Sequence, residues 1–406
     1  MRERIDSINL HCYGGINYIC LEENGCNMVE KMDFREELSK ICPKAKQGAN
    51  IYFFGCGKHF EDLRVWYRSF AGINIEDFAF AFIDNDINKQ GKAFHGKQVV
   101  SPDFVNPDNS VVLITALDYP DISIDRQMMD KGFFWRNDLL PSYDIYRILK
   151  SWIFSNIMRF KDIHKNERCF IIGGGPSLLM SDLDVLINEK TFAMNHIYKV
   201  FDKTGWRPTY YVAEDENMIM QWRTIDKNIS GCKFLNFSPC LNEINKREAF
   251  HIENVNYFSL MYTTYERPAE YKKFTFGEYP DIFFCGGSST YSCLQLAVFM
   301  GFKEIYLIGI DHEYSTMLKN SGEVVSSKKQ QDHVVSEYHN ESLMEGYKSR
   351  GLFALHIDVV TEAYKTARDY AESHGIKIYN ATRGGKLEIF ERVDFDSLIL
   401  KLREKN

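Results

Sequence analysis

The sequence contains no run of 18 consecutive apolar residues and therefore predicts no membrane-spanning helix. Its first residues, Met1–Asp6, are charged and lack the apolar stretch of a secretion signal. The ten cysteines include no Cys-x-x-Cys pair, which argues against a zinc ribbon or a disulfide framework. Scattered cysteines in a long chain are typical of reduced thiols. Together these absences predict a cytoplasmic protein.

An excess of basic residues is also absent. The 49 Lys and Arg residues are outnumbered by 56 Asp and Glu residues, which gives a net charge of −7. A general nucleic-acid binder needs a basic surface, so we expect no nucleic-acid partner. Hydrophobic residues make up 45% and charged residues 26%, as in globular proteins. The 406 residues exceed the usual length of one domain and predict two.

The first strand–glycine–helix pattern follows a predicted N-terminal extension, residues 1–48. An apolar run, Asn50–Phe54, precedes the turn Gly55–Gly57 and a predicted helix, and the next strand ends at Asp84–Asp86. This order predicts a small Rossmann-like domain over 49–140, although Phe60 replaces the third glycine of a dinucleotide fingerprint. Asp84-x-Asp86 also matches the spacing of a metal-binding Asp-x-Asp pair, but an acidic turn after a strand is the commoner explanation.

Apolar side chains then recur every three or four positions over residues 142–162, which is the period of an amphipathic helix. We interpret residues 141–166 as a helix that links two domains. Its polar face carries Arg147, Lys150 and Arg159, so peripheral contact with the inner face of a membrane is the alternative role.

A second strand–glycine pattern begins at Cys169–Ile172 and opens the predicted catalytic domain, residues 167–396. Glycines let a backbone approach a phosphate, proline suits the first position of a helix, and a helix N-terminus attracts anions. We therefore predict a phosphate site at Gly173, Gly174, Gly175, Pro176 and Ser177.

Alternating strands and helices over the following 230 residues predict a doubly wound parallel sheet. Ligands of such sheets bind at the carboxyl ends of the strands. Three predicted strands end at polar residues, and a Gly-Ser-Ser segment precedes a predicted helix, which places these side chains at that edge: Asn195, Glu214, Asp215, Ser288, Ser289 and Asp311.

Several of these segments resemble two related groups of proteins. One is the sialyltransferases of glycosyltransferase family 42, and the other is a broader family that includes MptE-type 6-hydroxymethylpterin diphosphokinases and the Maf proteins of flagellin glycosylation. The resemblance is carried by Ile171–Ser177, Met194–Asn195, Gly287–Ser289, Gly301–Asp311 and, for the broader family, Lys377–Glu388. The first domain resembles small Rossmann-like units of bacterial polysaccharide enzymes, which bind a nucleotide or nucleotide-sugar or serve as a scaffold.

The resemblance implies a nucleotide on the turn 173–177, with Asn195, Ser288 and Ser289 near its base and sugar. The chain departs from family 42 at three places. It has Gly174 where that family has Asn, Gly286-Gly287 where that family has a basic residue shortly before a Thr-Ser pair, and Glu214-Asp215 where that family has Asn-Pro-Ser. The two carboxylates favour a metal-bound diphosphate.

Family 42 uses a histidine base before its last helix, which implies His356, with His333 as the alternative. A histidine of ordinary pKa can accept a proton from a hydroxyl at neutral pH. Tyr314 is placed to hydrogen-bond a departing phosphate.

The leading expectation is a glycosyltransferase of surface-polysaccharide or glycoconjugate synthesis. It would transfer a sialic-acid-like sugar from a nucleotide donor, with CMP favoured, to a glycan or glycolipid, without a required cofactor. The alternatives are an Mg²⁺-dependent pyrophosphokinase, with Glu214, Asp215 and Asp311 on the metal, and a non-catalytic nucleotide-sugar-binding scaffold. The sequence is also compatible with an oligomer.

Overall fold

The computed structural model describes residues 32–116, 123–246, 254–261, 274–280, 283–314, 316–318, 324–326, 333–334 and 355–404. These residues divide into two compact units. The first contains residues 32–159 and 238–246, and the second contains residues 160–237 and the described residues from 254 onward. Most of the predicted N-terminal extension, residues 1–31, lies outside the described residues.

The first unit is built around a six-stranded sheet in the order β3-β4-β2-β1-β5-β6, parallel except for the pair β3–β4. Its strands are β1 Asn50–Phe54, β2 Ala81–Ile83, β3 Ala93–Phe94, β4 Lys97–Val100, β5 Ser110–Ile114 and β6 Leu139–Leu140. Its helices are α1 Phe34–Ser39, α2 Pro43–Lys46, α3 Lys58–Ala71, α4 Ser123–Asp130 and α5 Ser142–Ile157, with 3₁₀ turns at Ile75–Phe78, Pro102–Phe104 and Pro107–Asn109.

The helix α5 belongs to the first unit by its packing. The hydroxyl of the fully buried Tyr67, on α3, donates a hydrogen bond of 2.6 Å to the carbonyl of Ile145. Ile145, Leu149 and Ile153 form its buried stripe, as the helical period predicts.

The later strands are β7 Arg168–Ile172, β8 Thr191–Met194, β9 Tyr210–Ala213, β10 Cys232–Asn236, β11 Val255–Phe258, β12 Leu260–Met261, β13 Phe283–Phe284, β14 Glu304–Ile308, β15 Thr316–Leu318, β16 Val324–Ser326, β17 Leu355–His356, β18 Lys377–Asn380 and β19 Glu391–Arg392. The helices are α6 Met180–Asp184, α7 Glu216–Ile219, α8 Trp222–Asn228, α9 Phe237–Lys246, α10 Ser289–Phe299, α11 Ile357–Ser373 and α12 Phe395–Glu404, with 3₁₀ turns at Met158–Phe160 and Asn195–Val200.

The second unit contains an eight-stranded parallel sheet in the order β11-β10-β9-β8-β7-β14-β18-β19. Strands β12 and β13 form a separate parallel pair, and β15 pairs with β16 and β17. The central strands are buried along almost their whole length, as expected when helices cover both faces of a sheet.

Strand order places a crevice in each sheet. In the second unit the chain runs outward from β7 through β8 to β11 and then returns to β14 on the other side of β7. In the first unit β1 lies between β2 and β5 in the same way. Ligands of open α/β sheets bind at such reversals, beyond the carboxyl ends of the strands. The predicted fold class, two Rossmann-like parallel-sheet domains, is confirmed.

No helix within the described ranges combines the length and the apolar content needed to cross a membrane.

Candidate functional site

The glycine turn after β7 packs directly against the residues that follow β14. The amide of Gly173 donates to the carbonyl of Ile308 at 2.8 Å, and that of Gly175 donates to the carbonyl of Gly309 at 3.0 Å. A Cβ atom would lie 2.3 Å from Cδ1 of Ile310 if added to Gly173, and 1.9 Å from Oδ2 of Asp311 if added to Gly175. Two of the three glycines are therefore required by this close approach of two strand ends.

The carboxylate of Asp311 closes the turn. Its Oδ2 accepts hydrogen bonds from the hydroxyl of Ser177 at 2.9 Å and from the amide of Ser177 at 3.4 Å. Burial raises the pKa of Asp311, and the two bonds from Ser177 oppose that effect. The structure thus joins two of the predicted site residues, although they lie 134 positions apart in the chain.

The expected helix start at Pro176 is wrong. Pro176 is exposed in a turn, and α6 begins only at Met180. The donors of Ser177 are directed at Asp311, so they do not cap a helix. Any phosphate on this turn would be held by the turn itself and its neighbours, because α6 has five residues and begins three positions further on.

The C-terminal segment completes the surroundings of Asp311. The amide of Lys386 donates to the carbonyl of Asp311 at 2.7 Å, and the ammonium group of Lys386 pairs with Glu313. Gly385 has a φ of +69°, and a Cβ atom there would lie 2.7 Å from the same carbonyl. A glycine is therefore required at position 385, where the tail passes the end of β14.

Glu214 lies at the carboxyl end of β9 and faces α10. Its Oε2 accepts a hydrogen bond from the hydroxyl of Ser292, and its backbone carbonyl accepts one from Asn236 at 3.2 Å. Burial raises the pKa of Glu214 to about 7, and the neighbouring charge of Asp215 adds to the rise. A carboxyl group that titrates near neutral pH in a crevice is a candidate for proton transfer.

Asp215 has a different environment although it is the next residue. It is the N-cap of α7, and its carboxylate accepts the amide of Asn217 at 2.8 Å. The two side chains are adjacent, and Mg²⁺ in phosphotransfer sites is commonly held by one or two carboxylates together with substrate phosphates. The pair fits that donor set once Glu214 has lost its proton. No cluster of three or more His, Cys, Asp or Glu side chains suited to a metal occurs among the described residues.

The N-terminus of α10 brings the predicted Asn195 and serines together. The hydroxyl of Ser289 donates to Oδ1 of Asn195 at 3.4 Å, and Ser288 is the N-cap of α10 and lies 3.3 Å from the hydroxyl of Tyr364. Asn195 has a φ of +54°, a conformation that asparagine tolerates better than most residues. With Ser292 on Glu214, one helix thus contacts the ends of β8 and β9.

His312 is a part of this edge that sequence reasoning did not assign. Its Nε2 lies 2.8 Å from the hydroxyl of Thr361 on α11. That hydroxyl donates to the carbonyl of Ile357 at 2.8 Å, so the imidazole Nε2–H is the donor to it. Burial lowers the pKa of His312 to about 4, which keeps the ring neutral at physiological pH. The position of His312 beside Asp311, after β14, could have indicated that it belongs to this edge. The sequence did not indicate its contact with α11.

The predicted histidine bases occupy two further positions. The amide of Val334 donates to the carbonyl of Gly174 at 2.9 Å, which brings the adjacent His333 to the glycine turn. His356 is the half-buried N-cap of α11 and lies eight positions before Tyr364, whose hydroxyl is 3.3 Å from that of Ser288. Tyr314 is half-buried and lies three positions after Asp311. The roles of His356, His333 and Tyr314 stay predictions.

Glu214 also makes the stability of the fold depend on pH. Its pKa is about 7 in the folded chain against an ordinary 4.5, so the folded state binds more protons between these values. The stability from this group is fully present below pH 4.5 and is lost as the pH rises through 7, by about 3 kcal/mol at most. We expect Glu214→Gln to match the wild type near pH 4.5 and to exceed its free energy of unfolding at pH 8 by up to that amount.

Urea denaturation of both proteins at the two pH values measures this difference. The pH dependence of the wild type alone does not isolate Glu214, because the lowered pKa of His312 makes stability rise between about pH 4 and 6.5. The difference between Glu214→Gln and the wild type cancels the contribution of His312. If the free energies of unfolding of the two proteins differ by the same amount at both pH values, the raised pKa of Glu214 is contradicted.

Comparison with known proteins gives one match. Residues 144–317 match the family model described as 6-hydroxymethylpterin diphosphokinase MptE-like. No curated protein and no solved structure matches the chain. The matched segment runs through the glycine turn, Glu214 and the N-terminus of α10 to Asp311, which are the parts that the structure brings to one edge of the sheet. Over residues 144–317 the chain is therefore similar to the MptE-like family.

Proposed function

We propose that the second unit is a transferase that moves an activated group from a nucleotide donor to a hydroxyl of an acceptor. The observation that carries this proposal is Glu214, a carboxyl group of pKa about 7 at the carboxyl edge of the sheet. At neutral pH a substantial fraction of Glu214 is ionised and able to accept a proton. The donor would lie at the reversal between β7 and β14, beside the turn 173–177.

Sugar transfer is the first of two reactions that this edge could support. The acceptor hydroxyl would lose its proton to a base and attack the anomeric carbon, while the bond from that carbon to the donor phosphate breaks and the nucleotide leaves. The hydroxyls of Ser177, Ser288 and Ser289 lie at this edge beside Asp311, Tyr364 and Asn195, and this polar lining supports the placement of a nucleotide there. We propose a sialic-acid-like sugar on CMP as donor and a surface glycan or glycolipid as acceptor.

Diphosphoryl transfer is the second candidate, and it fits the family description. The acceptor oxygen would attack the β-phosphorus of a nucleoside triphosphate, and the bond to the α-phosphate oxygen would break to release the monophosphate. Glu214 and Asp215 would hold Mg²⁺ against the phosphates, and the ion would neutralise their charge. In this reaction the carboxylates are metal ligands, and the proton passes to another base.

The two reactions are distinguished by donor and metal. Thermal unfolding with CMP, UDP, ADP and ATP, each with and without Mg²⁺, reports which nucleotide stabilises the chain, since a ligand at 100 times its Kd adds about 2.7 kcal/mol. Donor turnover is then followed with and without EDTA. For sugar transfer we expect CMP to stabilise the chain without metal and the chelator to leave most of the activity.

Two variants assign the roles at this edge. Asp215→Asn is expected to retain more activity than His356→Ala if the chain transfers a sugar and His356 is the base. Complete loss of activity with EDTA, restored by Mg²⁺, together with an active His356→Ala, would establish diphosphoryl transfer instead. Nucleotide binding without turnover of any donor would overturn the enzyme proposal and leave a binding scaffold.

A further inference from the structure

The first unit has a cavity of about 370 Å³ at the carboxyl edge of its own sheet. The cavity is bounded by the turn after β1, by the end of β2 and by Thr115 and Ala116 after β5. It therefore lies at the reversal of strand order between β1 and β5, which is where open α/β sheets bind ligands. Its volume is within the range of small-molecule sites.

The charged groups of the cavity favour an anion. Lys58 and Lys89 line it together with one carboxylate, Asp84. That carboxylate is already compensated: it accepts the ammonium group of Lys89 at 2.8 Å, the amide of Cys56 at 3.1 Å and the amide of Asp86 at 2.9 Å. The 14-residue helix α3 begins here, and its N-cap, Gly57, has no side chain to cap it.

Two further features of the cavity indicate an organic ligand with polar groups. Nε2 of His59 is buried and has no hydrogen-bond partner within the described part of the chain, which is costly unless a bound molecule supplies one. The lining is also partly apolar and includes the buried Phe54 and Ile124. A bare inorganic ion would leave this apolar surface uncovered.

We propose that this cavity binds a small organic phosphate, with the phosphate at Gly57–His59 and Lys89 and the organic part against Ile124. This site is separate from the transferase site proposed above, because it is formed wholly by residues of the first unit. The phosphate would accept amide hydrogens of the first turn of α3 and would face the net positive charge that Lys58 and Lys89 leave once Asp84 is compensated.

A matched pair of glycine variants tests the proposal. A Cβ atom at Gly57 has no neighbouring heavy atom within 4 Å, and its φ is −133°, so Gly57→Leu introduces a bulky side chain without a clash at its Cβ atom and without backbone strain. Gly205, in the second unit, also has open space around its Cβ position, so Gly205→Leu is the control. A Lys89→Met variant removes the charge.

The readout is hydrogen exchange of the amides of residues 57–60 in the full chain, which reports this site and not the second unit. The probes are inorganic phosphate, glucose 1-phosphate, adenosine 5′-monophosphate and adenosine. At saturation we expect at least one of the two organic phosphates to slow exchange several-fold in the wild type and in Gly205→Leu. In Gly57→Leu and Lys89→Met its affinity should fall at least tenfold.

Adenosine should give no protection, and inorganic phosphate should bind at least tenfold more weakly than the organic phosphate that protects. Protection that persists in Gly57→Leu, equal affinity for inorganic phosphate, or no protection by either organic phosphate would overturn the proposal.

Discussion

Replacement of Glu214 by Gln is expected to lower the rate of group transfer at pH 7.5 by about 100-fold or more, the usual contribution of a general base. Gln keeps the size of the side chain and an acceptor oxygen for the hydroxyl of Ser292, but it cannot take a proton from the acceptor. The wild-type rate should rise with pH through about 7, where Glu214 ionises. The measurement is turnover of the donor identified by nucleotide-induced stabilisation.

Asp215→Asn is the matched control for this variant. The charge of Asp215 raises the pKa of Glu214, so its removal should move the acid limb of the pH–rate profile to lower pH. Because Glu214→Gln is expected to be more stable than the wild type at pH 8, a loss of activity could not be attributed to unfolding. If Glu214→Gln keeps more than a tenth of the wild-type rate, Glu214 is excluded as the base and His356 is favoured.

Local patterns in the sequence were sufficient for the elements that carry this site. The strand predicted from Cys169–Ile172 is Arg168–Ile172 in the structure, and the helix predicted after the Gly-Ser-Ser segment is Ser289–Phe299. Such predictions succeed because apolar runs, glycine turns and helix caps depend on neighbours in sequence. The same patterns placed Glu214 and Asp311 at strand ends, and hence at one edge of a parallel sheet.

The contacts across that edge could not be predicted. Pro176 and Ser177 follow a glycine turn, a pattern that predicted a helix start, but the hydroxyl and amide of Ser177 donate to Asp311, which comes from a distant strand. The state of Glu214 depends on Ser292, which is 78 positions away, and on burial by α10. His312 acquires its partner only when α11 packs beside it. Residue type gives the chemistry available at a position, but long-range packing decides how it is used.

The largest loss of stability is expected from Gly175→Ala. The new methyl group would lie 1.9 Å from Oδ2 of Asp311 and 2.6 Å from the carbonyl of Gly309, and the second contact is with backbone that a rotamer change cannot move. Relief requires β7 and β14 to separate at their ends and the bonds from Ser177 to Asp311 to break. We expect a loss of about 3 kcal/mol or more in the free energy of unfolding, measured by urea denaturation.

Two comparisons separate the causes of that loss. Gly174 is half-exposed and has no positive φ, so Gly174→Ala should lower the free energy of unfolding by about 1 kcal/mol or less. The bulkier Gly174→Val should abolish nucleotide binding while the fold stays intact. Asp311→Ala in the Gly175→Ala background removes the 1.9 Å contact but not the 2.6 Å one, so it should restore part of the stability. Full recovery in the double variant would show that the side chain of Asp311 alone requires a glycine. Equal losses at positions 174 and 175 would contradict the close approach of the two strand ends.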